Sequence, residues 1–136
     1  MKEPIWVLPE AVLAIHQMLL AEHGGLPGIR DQKLLDSALA RPRQRLTYEV
    51  NASIHELAAS YSYGLSKNHP FIDGNKRIAL TVAAVFLELN GYSLDAPEAE
   101  AVIMYEQLAS GSITEEFLAN WFRDSSISVA GPAHKK

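Results

Sequence analysis

The sequence predicts an all-α fold: about six helices packed round one central buried helix, with a single small β element. Three observations point there. Apolar residues recur at three- and four-residue spacing through most of the chain. Helix-starting signals (Pro9, Asp31, Ser53, Thr114) stand before most of these runs, and glycines follow several of them. One run, 78–89, is apolar on every side, as a helix inside a core must be.

The elements follow in order. "IWVL" (5–8) is expected as an edge strand or an extended lead-in. Pro9 opens the first helix, where its missing N–H is no loss, and Val12, Ile15 and Leu19 form its apolar face. Gly24 and Gly25 end it. Asp31 caps a short second helix to about Ala40, and Pro42 is expected to stop it. The stretch 41–51 shows no helical face, and 46–50 is assigned to a small hairpin or flap. Ser53 and Glu56 have capping-box spacing for a third helix, whose face is Ile54, Leu57, Ala58, Tyr61 and Leu65. The central helix runs from about Asn75 to Asn90, and Gly91 ends it. Asp95 and Glu98 form another capping box for a fifth helix to about Ala109, and Thr114 caps a sixth. Residues 1–124 are read as one domain and 125–136 as a flexible tail of small and polar residues.

Composition narrows the function. The 136 residues fit one domain with a real core. A net charge of -4 argues against nucleic acid as a direct partner, although "ARPRQR" (40–45) is a local basic patch. With no cysteine, disulfides, thiolate metal sites and thiol nucleophiles are excluded. No apolar run reaches membrane-spanning length, and 1–10 lacks a secretory signal, so a cytoplasmic protein is expected. Zinc-hydrolase His/Glu spacings are absent. His16 and His55 lie among apolar positions and read as structural histidines, and "GGLPG" is too short for a Walker-type phosphate loop.

The chemistry is concentrated in "NHPFIDGNKR" (68–77), at the mouth of the central helix. A helix start exposes unpaired N–H groups and the positive end of the dipole, and phosphates bind there. Gly74 lets a ligand approach the backbone. Asn75 can cap the helix or offer its side-chain amide to the same oxygen. Lys76 and Arg77 add positive charge. Asp73 facing a polyphosphate calls for a bridging cation, and Mg2+ is the usual one. Histidine exchanges protons near neutrality, so His69 can take one from a hydroxyl. Phe71 is an apolar anchor for the loop. Each residue alone has an ordinary role as cap, solvated charge or surface histidine. Gathered within nine residues before an apolar helix, they point to a nucleotide phosphate site with a base beside it.

The stretch "HPFIDGNKR" resembles the Fic/Doc signature H-x-F-x-[D/E/N]-[G/A]-N-[G/K]-R, with His69, Phe71, Asp73, Gly74, Asn75 and Arg77 in the fixed places. Residues 14–44 and "LELNGYSL" (87–94) are also similar to Doc-type members, so the resemblance spans roughly 5–123. It implies a Fic-like bundle. It implies His69 as base, Asp73 as ligand of Mg2+ bridging ATP phosphates, an anion hole from Gly74, Asn75 and the backbone at Lys76, and Arg77 on phosphate. Fic enzymes that transfer AMP mostly have Gly after the Asn and a second Arg three residues past the first. Here those places hold Lys76 and Leu80. Lys76 marks the Doc type, which implies transfer of the ATP γ-phosphate to a target-protein hydroxyl: a threonine of elongation factor Tu, with arrest of translation. AMP transfer and a non-catalytic binding module are the alternatives. No inhibitory [S/T]-x-x-x-E-[G/N] segment is found, because Phe117 follows Glu116. Restraint by a separate Phd-type antitoxin is therefore implied, with the first helix and residues 43–48 as candidate docking regions for partner or target.

Overall fold

In the computed structural model, which describes residues 3–129, six helices and two short strands follow in the order α1 (Pro9–His23), α2 (Gln32–Tyr48), α3 (Ile54–Asn68), α4 (Asn75–Leu89), β1 (Tyr92–Leu94), α5 (Glu98–Ser110), α6 (Glu115–Ser125) and β2 (Ser126–Ser128). This is an all-α bundle. Its caps explain its boundaries. Asp31 accepts the N–H of Leu34, Thr114 accepts that of Phe117, and Ser53 and Glu56 close a reciprocal capping box. Each such cap stabilises a helix by about 1 kcal/mol.

The centre is shared by α3 and α4. On α4, Ile78, Ala79, Leu80, Val82, Ala83, Phe86 and Leu87 are buried, while Leu89 at the end is 42% exposed. A single apolar face is expected on α3, but almost its whole circumference is buried. The reason is size. Ala58, Ala59, Ser60, Ser62 and Gly64 let α2, α4 and α6 pack close on different sides. Ser62 bonds across to the carbonyl of Ala79 at 2.6 Å. At Gly64 an added Cβ would lie 3.3 Å from the carbonyl oxygen of Ala38 on α2.

Three expectations are corrected. First, α2 does not stop at Pro42 but continues to Tyr48, so residues 46–48 form no hairpin or flap. Leu35, Ala38, Leu39, Pro42 and the half-buried Leu46 make one apolar stripe, in which proline fills a core position. Beyond Pro42 the helix is held by Arg45, which reaches Glu49, the carbonyl of Glu56 and Glu115. Second, α5 is capped by Pro97 with no side-chain bond, and not by Asp95. The Asp95 N–H instead reaches the carbonyl of Ser125. Third, the β element lies elsewhere. β1 and β2 pair antiparallel, Tyr92 opposite Ser128 and Leu94 opposite Ser126, so part of the expected tail is a strand. Residues 130–136 lie outside the described residues.

The lead-in 5–8 is extended without being a strand. The Asn90 side chain takes the place of a neighbouring strand, bonding both the N–H and the carbonyl of Ile5. The phenol of Tyr61 accepts the Val7 N–H.

Candidate functional site

The loop between α3 and α4 is a short bridge tied at both ends. α3 finishes at Asn68, and His69 caps it in the left-handed region (φ 47, ψ 56). Among the described residues it is the one non-glycine with positive φ. Arg30 holds this end, donating to the carbonyls of His69 (2.7 Å) and Asn68 (2.8 Å), where the helix is electronegative. The next residues run antiparallel to 28–31. The Pro70 carbonyl accepts from Arg30 and Asp31, and Ile72 N–H donates to Gly28. Phe71 turns inward and is fully buried, worth about 1.5–3 kcal/mol as an anchor. Its ring stacks on His16 of α1, centroids 3.8 Å apart and 15° from parallel.

The other end is closed by Asn75. Its side chain accepts the N–H of Phe71 (3.0 Å) and donates to the same residue's carbonyl (2.9 Å). The expected cap role of this amide is corrected: Gly74 is the N-cap of α4 and no side chain caps it, while the Asn75 amide ties the loop through its oxygen and one of its two N–H groups. Asn75 also lines the cleft over this loop and has its second amide N–H and its backbone N–H for a ligand. Gly74 is the N-cap of α4 at φ 80, a conformation that favours glycine. The first helical bond runs from Ile78 N–H to the Gly74 carbonyl. The N–H groups of Asn75, Lys76 and Arg77 precede it and have no intrahelical partner.

Asp73 is exposed. Its Oδ1 accepts from Gly74 N–H (2.9 Å), its Oδ2 from Leu26 N–H (3.1 Å), and its carbonyl from His16 Nε2 (2.8 Å). Gly25 permits that approach, since a Cβ there would lie 3.1 Å from Oδ2. Each oxygen accepts a single backbone N–H, which leaves lone pairs on both for a cation. Among the described residues there is no group of three or more His, Asp or Glu to hold a metal alone. Asp73 is a cleft carboxylate that could hold a cation, and Mg2+ is commonly bound by one or two carboxylates together with phosphate and water.

A cleft of about 620 Å3 opens over this loop. Asp73, Gly74, Lys76 and Arg77 line one side, Leu19, Leu20 and His23 of α1 a second, and Val102, Tyr105 and Glu106 of α5 a third. Lys76 pairs with Glu106 of α5, Nζ to Oε1 3.1 Å. Exposed His69 lines this cleft and also a smaller one of about 250 Å3, shared with Tyr63, Lys67 and Ser110. The predicted residues His69, Asp73, Gly74, Asn75, Lys76 and Arg77 therefore meet on one cleft, and Phe71 lies beneath it.

A family model described as the Fic/DOC family matches residues 6–87, more than half of the chain. The chain belongs to the Fic/DOC family. Within that family it is 32% identical over 118 residues to "Protein kinase doc" of Escherichia phage P1, covering 86% of this chain and 92% of that protein. It is 44% identical over 75 residues to "Toxin Doc" of Mycolicibacterium smegmatis, covering 54% of this chain and 57% of the relative. The matched Fic/DOC region takes in both ties of the loop that sequence reading did not foresee, His16 and Arg30. His16 left a signal: a polar residue four positions after buried Val12 sits on the apolar stripe of α1. Arg30 left none, because its acceptors lie 38 and 39 residues away. Glu106 and Tyr105, on the fifth helix, were likewise not legible as cleft residues. No helix of the described residues is long and apolar enough to cross a membrane.

Proposed function

We propose that this Fic/DOC protein is a Doc-type toxin that transfers the γ-phosphate of ATP to a hydroxyl of a target protein. By resemblance that hydroxyl is a threonine of elongation factor Tu, and a Phd-type antitoxin restrains the enzyme. One observation carries the reading: His69 stands on the ridge between two clefts, with the carboxylate and unpaired N–H groups of a phosphate site in the larger one. ATP occupies the larger cleft, its phosphates against the start of α4 and Arg77. The acceptor residue enters from the smaller cleft. His69 takes the hydroxyl proton, the hydroxyl oxygen bonds to the γ-phosphorus, and the bond from that phosphorus to the β,γ-bridging oxygen breaks. ADP leaves with the electron pair. Asp73 is the residue that would hold Mg2+, which when bound supplies neutralisation of phosphate charge.

Lys76, where the AMP-transferring branch has glycine, favours γ-phosphate as the group moved, and so does the name of the phage relative, "Protein kinase doc". A second reading has an observation of its own. Lys76 pairs with Glu106 in the same cleft, so part of its charge is engaged by a carboxylate and not by phosphate, which keeps AMP transfer as the alternative. Incubation with a candidate target and ATP labelled at the γ or the α position separates the two. Label from the γ position on the target, absent with His69→Ala, is the expected result; label from the α position alone overturns the kinase reading. If wild type and His69→Ala affect growth equally, the catalytic assignment itself fails and a binding module remains.

A further inference from the structure

We infer that His16 is a positioning residue: from beneath the loop it orients the Asp73 carboxylate through the intervening peptide unit. The inference rests on the phosphotransfer reading only in taking Asp73 as the metal-binding group.

The ring of His16 is buried on α1, 4% exposed, and is far too enclosed to meet a substrate. Its Nε2 lies 2.8 Å from the Asp73 carbonyl. A carbonyl can only accept, so Nε2 carries the hydrogen. In a planar trans peptide the C=O of one residue and the N–H of the next point in opposite directions. Drawing the Asp73 carbonyl inward therefore turns the Gly74 N–H outward. That N–H is what Asp73 Oδ1 accepts, at 2.9 Å. The Leu26 N–H then holds Oδ2 from the other side at 3.1 Å. One buried N–H thus fixes one peptide plane, and that plane fixes one side of the carboxylate. The stack of His16 on Phe71 keeps the imidazole from rotating away. A hydrogen atom replaces the side chain at Gly74 directly above it, where a Cβ would touch Nε2 at 3.5 Å. Groups that orient a metal ligand in this way commonly matter ten- to hundredfold for metal affinity, on the order of 1.4–2.8 kcal/mol.

The test uses three variants of the full chain. His16→Phe keeps the stacked ring and removes the N–H. His16→Gln loses the ring and keeps a donor. His16→Met serves as the donor-free variant if His16→Phe does not fold by circular dichroism. Without ligand, amide hydrogen exchange at Gly74 and Leu26 is expected to speed up in the donor-free variant and to return toward wild type in His16→Gln. By calorimetry with ATP present, the donor-free variant is expected to bind Mg2+ roughly 10- to 100-fold more weakly, with His16→Gln recovering most of the loss. Wild-type exchange and wild-type Mg2+ affinity in the donor-free protein would overturn the inference, as would a His16→Gln protein no better than the donor-free one. A wild type that binds no Mg2+ with ATP defeats the phosphotransfer reading instead, and the exchange measurement still decides the role of His16.

Discussion

Replacing Asn75 with alanine separates two roles that its place in the motif leaves open. The side chain makes two hydrogen bonds, both to the backbone of Phe71, at 3.0 and 2.9 Å. Phe71 is 1% exposed and Asn75 8%. Truncation therefore strands one buried N–H and one buried carbonyl, each worth roughly 1–3 kcal/mol when left unpaired. The space vacated by the amide admits a water that meets part of this demand, which places the expected loss near the lower half of the sum, about 2–4 kcal/mol. For a chain of this size each kcal/mol moves the melting temperature by roughly 3–5 °C, so the midpoint should fall by roughly 6–20 °C. Scanning calorimetry without ligand measures this directly. Asn75→Asp is the sharper companion. It keeps an acceptor for the Phe71 N–H but sets a carboxylate oxygen against the Phe71 carbonyl, and should also destabilise the fold. A melting temperature within about 2 °C of wild type, combined with lost ATP binding, would refute the reasoning. The amide would then be serving the ligand and not the loop.

Two further outcomes follow from the packing and the charges. Gly64→Val should destabilise by about 1–3 kcal/mol in urea titration, because its Cβ meets the Ala38 backbone across the α2–α3 contact, whereas Gly64→Ala regains about 1 kcal/mol of helix propensity and should lose less; equal stability of valine variant and wild type would contradict the close approach. His55 has its pKa lowered from 6.5, first by burial and then by Arg123, against an opposing pull from Glu56. The unfolded chain accordingly binds the proton more readily, so this contribution to stability is full above pH 6.5 and is lost as pH falls from there through the folded value. His55→Gln should flatten the decline in melting temperature between pH 7 and 5, and an undiminished decline would remove His55 as its source.

Much of this was legible because it is local. The capping box at Ser53 and Glu56, the cap at Thr114, and the motif from His69 to Arg77 each depend on neighbours a few residues away. Pro42 misled because proline usually breaks a helix, yet here it occupies the apolar stripe and tertiary contacts through Arg45 carry the helix on to Tyr48. The strand Ser126–Ser128 was hidden because its partner lies more than thirty residues earlier in the chain. At the site, residue types were legible and their assignments less so. Asn75 reads as a helix cap and is found instead tying the loop, and Lys76 is engaged with a glutamate 30 positions later. Spacing reports which groups can meet; it does not report which have already found partners.

The left-handed backbone at His69 has a consequence for anyone engineering this protein. A helix ending in that conformation is where glycine is most at home, and a histidine held there forgoes about 1 kcal/mol. Selection for thermal tolerance alone, in a library or along a lineage released from its task, would therefore favour His69→Gly among the early substitutions. It would deliver a sturdier scaffold without the side chain that the proposed phosphotransfer needs as its base.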